Sequence, residues 1–135
     1  MSATEDLVRN VIVGSPFGTL VGVEPEAIER DRVRLRLRFR PEVTTVGDVV
    51  HGGAIASLVD VAATAAVWSG ADLERSQRGT TVGFALSFLA AGRGQDLLAT
   101  AAVIQRGRSV CVCEVDVRGS DGNPVARALV TYKVG

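Results

Sequence analysis

The sequence predicts an α+β fold, an antiparallel sheet curled around one long buried helix. Three observations carry this. Residues 51–69, HGGAIASLVDVAATAAVWS, form an alanine-rich apolar run with one carboxylate and no other charge. Residues 31–40, DRVRLRLRFR, alternate apolar and basic side chains. Beyond residue 79, strand patterns follow one another with no helical stretch between them. A single sheet hides a helix that is apolar on nearly every side only by curling around it.

The whole chain, 1–135, fits one domain, and at 47% apolar residues it can bury a substantial core. Fifteen basic residues balance fifteen acidic ones, so net charge draws it neither to nucleic acid nor to a membrane surface. The opening MSATEDLVRN lacks a basic stretch followed by an apolar core, so a cytoplasmic location is expected.

Residues 3–13 space Leu7, Val8, Val11 and Ile12 as a helix does. Thr4 is its expected cap, and Gly14, Ser15 and Pro16 its stop. Residues 18–24, GTLVGVE, read as a first strand, and Pro25–Arg30 as a turn or bulged connection. In residues 31–40, Val33, Leu35, Leu37 and Phe39 face the core. The opposite row, Arg34, Arg36, Arg38 and Arg40, suits solvent, acidic partners across a subunit contact, or an anion.

Pro41 ends that strand, and residues 42–50 form a loop into the central helix. Alanine sustains the helix, and Gly70 stops it. A membrane span needs about 20 uncharged apolar residues. This run is shorter and holds Asp60 at its middle, so a helix wrapped by protein is expected. After the polar segment ADLERSQRG come strands 80–89, 96–106, 109–118 and 125–134, read as an antiparallel meander. The SDGN turn joins the last pair. Cys111 and Cys113 share one strand face and read as buried, inert thiols; with one histidine in the chain, no zinc site is indicated.

Ser57, Asp60 and Thr64 fall three and four apart, on one stripe of the helix. A carboxylate there needs a reason, because burying an unpaired charge is costly. It serves either a structural hydrogen bond or salt bridge, or chemistry in a pocket.

The segment VVHGGAIASLVDVAATAAV resembles the signature of hotdog-fold acyl-CoA thioesterases. The nearest types are the phenylacetate-degradation group and the 4-hydroxybenzoyl-CoA thioesterases. The resemblance extends to TTVGFALSFLAAGRGQ and to the GRS segment that follows the next strand. It implies hydrolysis of an aryl, arylacetyl or medium-chain acyl-CoA to a free acid and coenzyme A. No metal or redox cofactor is implied, coenzyme A being part of the substrate.

The implied roles fall on matching positions. Asp60 stands for the catalytic acid, nucleophile or water activator. Gly52 stands for the residue whose backbone N–H polarises the thioester carbonyl, with Gly53 and Ser57 beside it. Thr64 stands for a water-holding hydroxyl, and Thr80 or Thr81 for a Ser or Thr used by another branch. Thr45 occupies the place of an Asn or Gln, and its hydroxyl reaches less far than an amide. That departure keeps open a non-catalytic acyl-thioester binder. His51 is read as positioning the loop or helix start, with general-base action the alternative. Arg106, Arg108 and Ser109 suit the phosphates of coenzyme A, or form a solvated turn. The acyl pocket is expected between the helix and the strand 80–89, with Trp68 and Phe84 as its floor or as plain core.

Gly52 and Asp60 are eight residues apart, roughly 12 Å along a helix at about 1.5 Å per residue. One ideal helix cannot bring both to one carbonyl, whereas two antiparallel copies can. A homodimer with two shared sites is expected, and the resemblance adds a dimer of dimers.

Overall fold

The computed structural model describes residues 2–135. The Ser2 hydroxyl accepts from the Glu5 N–H and caps α1 (Ala3–Leu7), so the cap lies two residues before the expected Thr4. The chain then continues as a π-helical segment, Val8–Val13. The Gly14 N–H donates to the Arg9 carbonyl across five residues. Val8 and Val13, also five apart, are both buried. The expected helix over 3–13 therefore exists but changes winding halfway.

Of the strand expected over residues 18–24, only Val23 and Glu24 are extended; residues 18–21 are helical. Ser15 accepts from the Gly18 N–H, Pro16 sits in the first turn, and Gly22, at φ 88°, closes α2 (Pro16–Val21) in the left-handed region. Capping chemistry at both ends overrode the apolar pattern. The strand β1 (Val23–Glu29) runs on through the stretch read as a turn or bulged connection, with a bulge between Pro25 and Ala27.

Asp31, at φ 64°, turns the chain into β2 (Arg32–Leu37), where Val33, Leu35 and Leu37 are buried as their alternation requires. Within the chain, Arg36 and Arg38 of the arginine row meet acids of neighbouring strands and loops. Arg36 pairs with Glu26 and Asp96, and Arg38 with Glu24. Arg40 donates to the carbonyls of Leu20 and Val21, holding α2 against the sheet. A short turn, Pro41–Val43, leads toward α3 (Gly52–Ser69).

Four long strands follow: β3 (Gly79–Phe88), β4 (Leu97–Arg106), β5 (Val110–Gly119) and β6 (Pro124–Val134). The six-stranded antiparallel sheet runs β1-β2-β4-β5-β6-β3. Only β4, β5 and β6 form a meander; β3 pairs with β6 at the far edge, contrary to the expected order. Residues 89–96 are too long a link for a tight hairpin, and they are tied instead to the loop before α3. Val49 bridges Arg93, and the Gly94 N–H donates to the Asp48 carbonyl.

The helix α3 lies on the inner face of this sheet. Leu58, Val59, Ala62, Ala63, Ala65 and Ala66 are fully buried, while Ser57, Asp60, Val61 and Thr64 form a half-exposed stripe. The two sheet edges differ. Strand β1 carries Glu24, Pro25, Glu26, Glu29 and a bulge, devices that discourage further pairing. Strand β3, GTTVGFALSF, has neither charge nor proline and is exposed along most of its length.

Candidate active site

The apolar run of α3 holds its polar residues on the open stripe, and β3 crosses above it. There the Thr81 hydroxyl donates to Asp60 Oδ1 at 2.6 Å. Thr81 and not Thr80 makes this contact, because successive strand residues face opposite ways. Thr80 lies beside Arg78 and Lys133 instead. Among the described residues, no arginine pairs with Asp60; its neighbour is a neutral hydroxyl.

One turn beyond Asp60, Thr64 lines an apolar cavity of about 420 Å³. Trp68 and Tyr132 form its base, and Leu7, Val11, Ile12 and Leu73 its outer wall. Trp68 Nε1 donates to the Tyr132 hydroxyl at 2.9 Å inside the core. A Cβ on Gly79 would lie 2.5 Å from that oxygen, so only glycine fits beside the pair. Burial and the nearby Asp60 charge push the Tyr132 hydroxyl above its ordinary range, against the lowering effect of Trp68. Tyr132 is also the cross-strand partner of Thr81, which holds Asp60, so the cavity-lining tyrosine and the Asp60–Thr81 pair are neighbours across β3 and β6.

The N-terminus of α3 forms a second half-site. His51 Nδ1 accepts from the Gly53 N–H at 2.7 Å, so the histidine caps the helix and Gly53 is not a free donor. The Ser57 hydroxyl bonds back to the Gly53 carbonyl. Among the described residues, none accepts from the Gly52 N–H. This donor opens, at the positive end of the helix dipole, onto a cavity of about 420 Å³ lined by Thr45, Val50, Ile55, Phe88 and Gly92. Phe88 Cζ lies 3.3 Å from where a Gly52 Cβ would sit, so glycine keeps the approach clear.

The expected site residues thus fall into two groups within one chain. Asp60 and Thr81 are bonded to one another, with Thr64 one turn on at the apolar cavity; Gly52 and Thr45 line the other cavity, with His51, Gly53 and Ser57 holding the helix start. Arg106 is not free for a ligand: it donates to Asp31 at 2.7 Å and to the Val67 carbonyl at 2.9 Å, closing the C-terminal end of α3. Arg108 is exposed and joins Arg30 and Arg75 around a cavity of about 220 Å³. Ser109 is exposed, and its carbonyl accepts from the Val134 N–H. Cys111 and Cys113 are buried and unpaired, and burial pushes the Cys113 thiol up to about 12.

Trp68 lines the apolar cavity as expected, but Phe84 does not, and β3 contributes only Gly79 to it. The wall formed by Leu7, Val11 and Ile12 was not foreseen. Apolar residues at helical spacing read as core, and nothing in their spacing announced a π turn. Tyr132 escaped notice for a similar reason, as an aromatic residue in a strand pattern.

Comparison with known proteins locates these features. The thioesterase superfamily model matches residues 47–126. The medium/long-chain acyl-CoA thioesterase YigI of Escherichia coli is 31% identical, over 89% of this chain and 86% of its own. A thioesterase family protein from Silicibacter pomeroyi superposes with a TM-score of 0.88 at 22% identity, covering 98% of each chain. A hypothetical thioesterase from Streptococcus pneumoniae, solved with coenzyme A, gives 0.75 at 24% identity over 84% of this chain and 85% of its own. These likenesses establish the hotdog fold.

Proposed function

The chain belongs to the thioesterase superfamily and is a thioester hydrolase acting on acyl-CoA, and on that premise we propose a site shared between two antiparallel copies. One observation carries this reading: the half-sites lie at opposite ends of an unguarded edge strand. Asp60 sits under Thr81 near the start of β3, and Gly52 lies beside Phe88 at its end. A second copy that pairs its own β3 antiparallel with the first sets Thr81 against the partner strand's far end. Asp60 of each copy then approaches Gly52 of the other. The half-exposed stripes of the two α3 helices face one another in the same arrangement, and the roughly 12 Å between Asp60 and Gly52 in one chain is bridged.

The chemistry follows from the residues. The Gly52 N–H donates to the thioester oxygen as it becomes an oxyanion, a contribution worth about 10²–10³ in rate for one such donor. Asp60 delivers the attack, directly or through a water held by Thr64. Thr81 orients the carboxylate. In the net reaction water adds a hydroxyl to the acyl carbon, the C–S bond breaks, and the thiolate of coenzyme A takes the proton. The acyl group enters the Trp68–Tyr132 cavity, whose volume lies within the roughly 300–1,000 Å³ of ordinary ligand pockets. Its apolar lining and the medium/long-chain activity in the name of YigI favour an aliphatic, medium-chain acyl group over an aryl one. Arg108, with Arg30 and Arg75, supplies unpaired cations for the phosphates of coenzyme A.

Free-thiol release from a panel of aryl-, arylacetyl- and fatty acyl-CoAs tests this. Turnover is expected, fastest on medium-chain substrates, with Asp60→Asn slower by about 10²–10⁴. Tight binding without turnover in either form would make the protein a binder instead. Light scattering is expected to give a dimer or a multiple of it; a fully active monomer refutes the shared site.

A further inference from the structure

We propose that Leu7 and the π-helical segment Val8–Val13 gauge the length of the acyl chain. This rests on the reading that the Trp68–Tyr132 cavity takes the acyl group. The cavity lining has more than one origin. Thr64 and Trp68 come from α3, the helix that carries Asp60, and Tyr132 from β6. Leu7, Val11 and Ile12 are contributed by a stretch that precedes the superfamily match at residue 47. The superfamily match therefore holds Thr64, Trp68, Leu73 and Gly79 of this lining, while Leu7, Val11 and Ile12 lie before it and Tyr132 after it.

The winding explains how the wall is built. In a π turn the hydrogen bond spans five residues, which brings positions four and five apart onto one side. Leu7, Val11 and Ile12 have those spacings and all reach the cavity. Val8 and Val13, five apart on the other side, are buried at 0% and 2% exposure and pin the segment to the core. An ordinary α-helix would rotate Ile12 and Val13 away from these positions. Such π turns concentrate at functional sites.

The wall is apolar, so it recognises hydrocarbon by burial rather than by hydrogen bonding. Each methylene that finds room is worth about four-fold in affinity, and one that meets the wall loses that gain. Val11 is the residue to alter. It lines the cavity yet is 59% exposed, so changing it leaves the core intact.

The test measures kcat/KM for straight-chain acyl-CoAs from butanoyl to hexadecanoyl, in wild type, Val11→Trp and Val11→Ala, with thermal melting to verify folding. Val11→Trp is expected to lower the dodecanoyl rate relative to butanoyl by at least about ten-fold, a little under two methylenes' worth. Val11→Ala is expected to move the optimum to longer chains. An unchanged profile in the folded variants, or an equal loss at every chain length, overturns the proposal. Asp60→Asn run alongside separates the two readings. If it abolishes turnover while the Val11 variants keep the wild-type profile, only the gauge fails; if no acyl-CoA is hydrolysed by any form, the hydrolase reading fails.

Discussion

Two crippled variants should restore one another if each site draws on both chains. The first is Asp60→Asn. The second is Gly52→Pro, which deletes the backbone donor while keeping the helix. Gly52 is the first residue of α3, where proline is well accepted, and His51 before it is extended at φ −62°, ψ 136°, as a residue preceding proline must be. The pyrrolidine ring approaches Phe88, 3.3 Å from the ideal Cβ, but that side chain is 56% exposed and free to move. Alone, Gly52→Pro should cost about 10²–10³ in kcat. When equal amounts of the two variants exchange subunits, about half of the two-fold dimers are mixed. In a mixed dimer, one site joins intact Asp60 to intact Gly52, and the other joins both lesions. About a quarter of wild-type activity should return, far above either parent. Mixing followed over time, with native mass spectrometry counting mixed dimers, is the assay. Mixed dimers present in quantity with activity no higher than the parents would show that each site lies within a single chain.

Thr81→Val removes the 2.6 Å hydrogen bond that orients Asp60, and should lower kcat about ten-fold with KM nearly unchanged, read by steady-state kinetics. Tyr132→Phe leaves the Trp68 N–H without its buried acceptor. The loss of about 1–3 kcal/mol should lower Tm by roughly 4–12 °C in a chain of this size, read by calorimetry. The Phe39 N–H and the Arg36 guanidinium hold the Asp96 carboxyl below its usual range in the folded state. Its contribution to stability is therefore full above about pH 4 and lost as pH falls through the lowered folded value. Urea melts across that acid range should show a steeper decline for wild type than for Asp96→Asn.

What could be read in the sequence was what depends on near neighbours. The alternation of Val33, Leu35 and Leu37 is a local period, and β2 follows from it. The alanine run defines α3 in the same way, and Asp60 and Thr64 stand out because polarity is rare there. Residues 18–24 misled because their apolar character suggested a strand, although Ser15, Pro16 and Gly22 carried the caps of a helix. The place of β3 beside β6 is a non-local outcome that no short window contains. Arg106 looked like a phosphate ligand because its turn was visible, while Asp31, its partner, lay seventy-five residues away. Leu7, Val11 and Ile12 were recognised as apolar, but their use as a cavity wall depends on the π winding.

The unequal edges of the sheet also bear on how the proposed assembly would stop. Were β1 as bare as β3, each added copy would expose a fresh template, and the chains would grow into a ribbon. The glutamates, the proline and the kink of β1 close that route. If two copies pair through β3 as proposed, growth along the strands' bonding direction ends with that pair, and a surface that would otherwise invite fibres serves a single, self-terminating handshake.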